Sequence, residues 1–271
     1  MADSENDQVV QRKQKLRNLF ERGVEPYPYS FNKKNNAKEV LKKHEKLKKE
    51  GKSKDKVSLA GRIMTLRVMG KAGFAHIQDE TGKIQVYVRE DEVNKEDYKT
   101  FSKSDLGDII GVEGTVFRTK RGELSILTKN IDILSKSLKP LPDKWHGLKD
   151  VEEKLRKRYL DLLTNQEVKE MFVKKAKFWQ TIRNFLLNKG FLEVETPILE
   201  NSTGGAAATP FRTHHNTLDI DVYLRISCGE LWQKKLLVGG FEKTFEIGRI
   251  FRNEGMDSEH LQDYTQMEFY W

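Results

Sequence analysis

"FRNEGMDSEHLQDYTQMEFY" runs from Phe251 to Tyr270. Both ends have the alternation of β-strands, and Asn253 to Asp263 between them reads as a loop holding His260. Successive side chains of a strand point to opposite faces. Thr265, Met267, Phe269 and Trp271 therefore share one face, mostly apolar and expected to pack on a core. Tyr264, Gln266, Glu268 and Tyr270 share the other, polar throughout yet carrying two rings and a carboxylate. In the preceding strand, "KTFEIGRIF", Glu246, Gly248, Ile250 and Arg252 form one row, which Glu254 extends. Gly248 has no side chain and is expected to leave room for a ligand. An arginine fork suits phosphate oxygens, rings suit stacking, and carboxylates suit a cation or an amine. The same pattern also describes a solvated hairpin with cross-strand ion pairs, so periodicity alone leaves both readings open.

Upstream of this hairpin the pattern is mixed α and β. In "VKEMFVKKAKFWQTIRNFLLNKG", Val168, Phe172, Trp179, Ile182 and Leu186 fall at helical spacing, and Gly190 ends the helix. "FLEVETPIL" reads as a strand entering Pro197, "ENSTGGAAATPF" as a small-residue loop and "ELWQKKLLVGG" as a second helix. Between Lys56 and about Leu138 the periodicity shortens. "KVSLAGRIMTLRVMG", "FAHIQD", "KIQVYVRE", "DIIGVEGTVFRT" and "ELSILTKNIDIL" are strand candidates, with "DETGK" and "TKRGE" as hairpin turns. About five strands with almost no helix suggest a small barrel. An OB-fold fits that count, and such barrels commonly bind oligonucleotides on one face.

"SENDQVVQRKQKLRNLFERG" reads as an amphipathic helix. Ser4 is its candidate cap with Asp7 in the capping-box position, Val9, Leu16, Leu19 and Phe20 lie near one face, and Gly23 stops it. The lysine-rich segment that follows, "KKNNAKEVLKKHEKLKKEGKSKDK", is either a solvated helix or mobile arm, or a grip for phosphates. "KPLPDKWHG", Lys139 to Gly147, reads as a linker. The domain expectation is thus a helical basic extension over residues 1–55, a barrel over 56–138, a linker over 139–150 and a second domain over 151–271.

The 271 residues are 33% charged with a formal net charge of +8, which points modestly toward an anionic partner such as nucleic acid. The single cysteine, Cys228, precludes a disulfide within the chain and a cysteine-based metal cluster. No apolar run approaches the ~20 residues of a membrane span, and the polar start is unlike a signal peptide, so a cytoplasmic location without membrane partners is expected. No Walker-type loop occurs: "VMGKAG" lacks the first glycine and "GGFEKT" the Gly-Lys pair. A nucleotide would then bind on a sheet surface. "THH", Thr213 to His215, is a weak metal signal, because adjacent histidines point in different directions.

Across its whole length the chain resembles the N-terminal portion of the class II lysyl-tRNA synthetase family. "FRNEG…H…YTQMEFY" is similar to that class's motif 2, and "KGFLEVETPIL" is similar to motif 1, whose proline is matched by Pro197. "LRKRYLDLL", "GGAAATPFRTHHNTLDIDVYLRI", "MGKAGFAHIQDETGKIQVYV" and "LPDKWHGLKD" are further lysine-type matches, in the right order. The resemblance implies an α+β multidomain chain: an OB-fold β-barrel that binds the anticodon, then a partial class II catalytic domain with an antiparallel sheet and flanking helices. It implies formation of lysyl-adenylate from L-lysine and ATP, transfer of the lysyl group to tRNA(Lys), Mg2+ brought in with ATP, and a homodimer formed through motif 1 at Pro197.

By position, the resemblance gives Arg252 the α-phosphate and the substrate carboxylate. Glu254 would meet the adenine amino group, His260 the distal phosphates and Tyr264 the adenine ring. Glu268 and Tyr270 would meet the lysine ε-ammonium, Glu230 the α-amino group, and Gly205 would admit backbone close to the substrate. In the barrel Phe74 would stack on an anticodon base, while Arg67, Gln85 and Glu123 would read base edges. On pattern alone, without the resemblance, Phe74 reads as a core residue in preference to a stacking platform.

The sequence departs from the family in several places. It stops at Trp271, inside motif 2, and motif 3 and the later acidic residues are not in it. No metal site is expected within this chain, and this stretch alone is expected to make lysyl-adenylate poorly. "ISCGELW" has one residue more before Glu230 than the usual pattern, "HLQDYT" replaces the usual H-N-P-E-F-T, and Thr209 stands where arginine is commoner. Two other readings stay open: an aspartyl- or asparaginyl-tRNA synthetase, and a tRNA-binding fragment without catalysis.

Overall fold

The computed structural model describes residues 7–142, 148, 150–257 and 259–271. Its chain divides into two compact units, residues 1–164 and 165–271.

The first unit opens with α1 (Asp7–Glu21) and α2 (Ala37–Lys43), followed by β1 (Lys52–Met69), β2 (Ala72–Gln78) and β3 (Lys83–Arg89). After α3 (Lys95–Lys103) come β4 (Ile109–Arg118) and β5 (Leu124–Ser135), then the short α4 (Val151–Arg156) and α5 (Arg158–Thr164). The five strands close into a barrel in the order β1-β2-β3-β5-β4, with β3 and β5 parallel and the other pairs antiparallel. Closure leaves no free sheet edge. Alternation decides which side chains fill it: Ala75 and Ile77 of β2, Ile84, Val86 and Val88 of β3 point inward and are buried. The Asp79 carboxylate closes the β2–β3 turn by accepting from the backbone of Thr81 and Gly82.

Several expectations need correction here. The barrel does hold a helix: α3 lies between β3 and β4 and inserts Phe101, fully buried, into the core. The lysine-rich segment is not a mobile arm. Ala37 and Val40 of α2 join the barrel core, and β1 starts at Lys52. In α1 the buried positions are Arg12 and Leu19, whereas Phe20 is 54% exposed. Arg12 donates to the carbonyls of Leu106, Ser137 and Lys139 at 3.1–3.2 Å, which fastens α1 to the barrel. Gly23, at φ +70°, ends this helix as anticipated. Ser4 and, in the proposed linker, residues 143–147 and 149 lie outside the described residues.

The second unit holds α6 (Gln166–Asn188), β6 (Leu192–Glu193), β7 (Leu199–Glu200), β8 (Arg212–His215), β9 (Ile220–Leu224), α7 (Glu230–Val238), β10 (Thr244–Phe251) and β11 (Asp263–Tyr270). One three-stranded sheet runs β11-β10-β6, and another β7-β9-β8. "FLEVETPIL" is thus two short strands in different sheets, because Pro197 cannot donate to a ladder. Asn165 caps α6 and Gly190, at φ +80°, follows it. Only the end of α6 is buried: Leu186 packs with Phe191 and Phe245, supported by Ile182, Ile247 and Met267. Phe172 on the same helix is 43% exposed. On the apolar face of β11 only Met267 joins the core, while Phe269 and Trp271 are exposed and meet the edge of Phe191.

Candidate functional site

The two strands β10 and β11 pair in the register Glu246↔Glu268, Gly248↔Gln266 and Ile250↔Tyr264. The two polar rows therefore share one face. This face is not open at its centre. A side chain at Gly248 would collide with the Arg225 guanidinium, so the glycine makes room for an arginine of the chain itself, not for a ligand. Arg225 is buried, pairs with Glu246 at 2.5 Å and donates to the Arg249 carbonyl at 2.8 Å. Thr196 Oγ1 donates to the other oxygen of Glu246 at 2.6 Å. A buried pair left half-broken costs far more than an exposed one, so this network is a rigid floor. Sequence reasoning passed over Arg225 and Thr196; the signal available was an arginine inside the otherwise apolar run "VYLRIS".

Around that floor the structure gathers most of the expected residues. The Cys228 N–H donates to Glu268 Oε1 at 3.1 Å, and Tyr270 Oη donates to Glu268 Oε2 at 3.3 Å. Burial, with the charges of Glu268 and Glu230, pushes the Tyr270 phenol up to about 12, so it stays a donor at neutral pH. Glu230 opens α7 and pairs with Lys234 at 2.6 Å; the same ammonium lies 5.8 Å from the Tyr270 ring centroid. Gly205, at φ +86°, passes so close to Glu230 that an added Cβ would sit 2.7 Å from its Oε2. Gln233 is fully buried and links α7 to β10 by accepting from Thr244 Oγ1 at 3.0 Å. Gln266 Oε1, on the same face, is buried without a partner among the described residues.

The remaining expected residues lie toward the loop. The Arg252 guanidinium stands 5.6 Å from the Tyr264 ring centroid, and its Nε donates to the Ile226 carbonyl at 3.4 Å. Glu254 accepts from the Thr209 N–H at 3.1 Å. The replacement of the commoner arginine thus leaves Thr209 anchored by its backbone. His260 is exposed and pairs with Asp257 at 2.8 Å within the loop. Pro197 lies between β6 and β7. His214 of the Thr213–His215 stretch pairs with Asp219 and Asp221. Among the described residues, no three His, Cys, Asp or Glu side chains converge as metal ligands.

A second arrangement lies on the barrel. Phe74 stands opposite Arg67 on β1 and Tyr87 on β3, and its ring stacks on Tyr87 at 4.4 Å and 16°. Tyr87 in turn meets Phe117 at 5.9 Å. Phe74 is on the outer side of the wall, between inward-facing Gly73 and Ala75. Gln85 donates to Glu123 Oε2 at 2.8 Å, and His76 Nε2 lies 2.7 Å from Glu123 Oε1. Arg67, Phe74, Gln85 and Glu123 therefore occupy one outer face. Tyr87, His76 and Phe117 share it and were missed; the alternation of "KIQVYVRE" was the signal for Tyr87. An outward cluster of rings flanked by an arginine, an amide and a carboxylate can stack on bases and bind their edges.

Comparison with known proteins places one match in the first compact unit and another that begins at residue 150, before the second unit starts at 165. Residues 150–271 match the family of class II tRNA synthetases (D, K and N), and residues 57–134 match the OB-fold nucleic acid binding domain. A lysine–tRNA ligase of Staphylococcus epidermidis is 48% identical over 274 residues, covering 100% of this chain and 55% of that protein. One from Bacillus cytotoxicus is 50% identical over 267 residues, covering 98% of this chain and 53% of that protein. One from Staphylococcus aureus is 47% identical over 274 residues, with 100% and 55% covered. The chain spans about half the length of the curated relatives it matches.

Proposed function

We propose that the chain serves as the lysine- and tRNA-recognising part of a lysine–tRNA ligase, because residues 150–271 match the class II tRNA synthetases (D, K and N) and residues 57–134 match the OB-fold nucleic acid binding domain. The observation that carries the lysine assignment is the ammonium of Lys234. It already sits on Glu230 and beside the Tyr270 ring, the same acceptors proposed for the substrate's amines. Glu268, fixed by the Cys228 N–H and the Tyr270 hydroxyl, supplies the second carboxylate. An uncharged competitor would leave that carboxylate unpaired, which discriminates strongly.

In the proposed reaction the lysine carboxylate attacks the α-phosphorus of ATP. A new C–O–P linkage forms, the bond to the β-phosphate breaks, and pyrophosphate leaves. No side chain needs to act as nucleophile, so the chain's work is orientation and charge stabilisation. Arg252 would stabilise the charge building on the α-phosphate and the carboxylate. Tyr264 would stack on adenine, Glu254 would accept from its amino group, and His260 would face the distal phosphates. Magnesium would arrive with ATP, and the described residues form no three-donor site for it. On the barrel, Phe74 would stack on an anticodon base of tRNA(Lys), with Arg67, Gln85 and Glu123 at base edges. The proposed homodimer would use the motif 1 segment around Pro197. No described helix is long and apolar enough to cross a membrane, and a cytoplasmic setting is part of this proposal.

ATP–pyrophosphate exchange with lysine, aspartate and asparagine offered in parallel tests the assignment. Exchange that requires lysine and falls about a hundredfold or more in Arg252→Gln is the expected result. Exchange driven by aspartate or asparagine overturns the lysine assignment. Exchange indifferent to Arg252→Gln overturns the role of that arginine. Anticodon-dependent RNA binding by folded protein, with no exchange for any amino acid, selects the reading as a tRNA-binding chain.

A further inference from the structure

Two register rows run around the barrel wall. One passes from Arg67 through Phe74, Tyr87, Leu127 and Thr115 to Lys56. The other passes from Thr65 through His76, Gln85, Ser125 and Phe117 to Lys52. Side chains of paired residues share a face. The face that begins with the stacking rings Phe74 and Tyr87 therefore ends, three strands beyond Tyr87, in lysines of β1. Between residues 42 and 56 there are eight lysines against three acids. All eight are exposed. Lys120 and Arg121, at the tip of the β4–β5 hairpin, are exposed as well.

This lysine-rich stretch is held in place. Arg118 of β4 donates to the carbonyls of Glu45, Leu47 and Gly122 at 2.6 Å each, and its N–H donates to the Gly51 carbonyl at 2.9 Å. One guanidinium thus clips the turn after α2 to the β4–β5 hairpin. The hairpin's next residue is Glu123, which holds His76 and Gln85 on the base-binding face. The nearby acids are largely occupied: Asp55 pairs with Lys43 and His44, and Glu50 lies 3.7 Å from Lys120. Lys46, Lys48, Lys49, Lys52, Lys54 and Lys56 make no ion pair among the described residues.

We propose that residues 46–56 and the 119–122 hairpin form a fixed phosphate track, which grips the RNA backbone leading away from bases held at Phe74 and Tyr87. Its partner is a polyanion continuous with those bases. The compact ammonium groups neutralise phosphates without reading sequence, whereas the rings and Gln85 read bases. The inference rests on the reading of the barrel as the anticodon-binding part.

The test measures binding of the anticodon stem–loop of tRNA(Lys), and of the same stem with a permuted loop, as a function of salt. The variants are Lys48→Gln/Lys49→Gln/Lys52→Gln and, separately, Phe74→Ala. If three phosphates are gripped, the triple variant flattens the slope of log K against log salt by about 2 and weakens binding about a hundredfold at 0.1 M salt, with the preference for the correct loop unchanged. Phe74→Ala should erase the loop preference and keep the slope. An unchanged slope in the triple variant, with Phe74→Ala still damaging, overturns the phosphate track and leaves the anticodon reading standing. Indifference to both variants overturns both. A circular-dichroism melt of each variant matching the parent shows that these losses are not unfolding.

Discussion

The two units of this chain make their interiors from different material. The barrel's centre is apolar, with Leu59, Ile63, Ile77, Ile84, Val86 and Ile126 all buried almost completely in one contiguous cluster, and the charged groups it buries, Lys136 with Asp105 and Asp108, lie at the strand ends, just before β4 and just after β5. In the second unit the apolar cluster is built on Leu186, Phe191 and Phe245, and beside it sit buried Arg225, Gln233, Thr244 and Glu246. A closed barrel satisfies its backbone groups within the wall, so its centre needs only shape and hydrophobicity, and its buried charges are confined to where strands end. The second unit must hold charged and polar groups in fixed directions near its surface. A buried charged network supplies that stiffness, provided every member is paired.

The largest expected effect tests the charged floor. Arg225→Met strands Glu246 without its partner and should lower the second unit's stability by about 3–5 kcal/mol. Three of the four tryptophans, Trp179, Trp232 and Trp271, lie in that unit, so fluorescence during urea unfolding reads it. The double variant Arg225→Met/Glu246→Leu should recover most of the loss. Failure to recover would mean that the arginine acts through packing, and the contrast between the units would weaken.

In the barrel the counterpart is Ile126→Ala. Its loss of transfer energy and the cavity it leaves should cost roughly 2–5 kcal/mol, with the second unit's transition unmoved. A coupled shift of both transitions would show that the two interiors are not independent.

Cys228 gives a smaller, pH-dependent effect. Burial, and then the charge of Glu246, raises the thiol from its reference value of 9.0 to about 11. The folded form holds its proton more tightly than the unfolded one. Its stabilising contribution is therefore complete below about pH 9 and is lost as pH rises toward 11. Stability of the second unit should fall by about 1–3 kcal/mol over that window, and Cys228→Ala should flatten the fall. The same shift predicts negligible alkylation by iodoacetamide at pH 8 in the folded protein. Rapid alkylation there would contradict the burial.

The smallest effect separates the two faces of α1. Phe20→Ala should change stability by less than about 0.5 kcal/mol, since the ring is exposed, whereas Leu19→Ala should cost several times that. Equal costs would mean that Phe20 is covered in solution.

Much of the barrel could be read from the chain because period-two alternation is a local property. "FAHIQD" and "KIQVYVRE" state their inner and outer residues directly, and Asp79, Thr81 and Gly82 state the turn between them. The helix α3 was missed because its strongest anchor, Phe101, belongs to a short, lysine-rich and outwardly polar segment. The lysine-rich stretch after α1 looked unanchored because its two anchors, Ala37 and Val40, are small.

For the second unit the sequence determined the β10–β11 hairpin and the division of its residues between two faces, since a strand's alternation needs no knowledge of its neighbours. It also determined which side chains could bind phosphate, ring and amine. Only the tertiary structure decided what fills the middle of that face. Arg225 is 23 residues from Gly248 in the chain yet occupies its missing side chain's space. Whether a glycine opens a pocket or admits an arginine depends on which distant segment packs against it, and no local pattern carries that information.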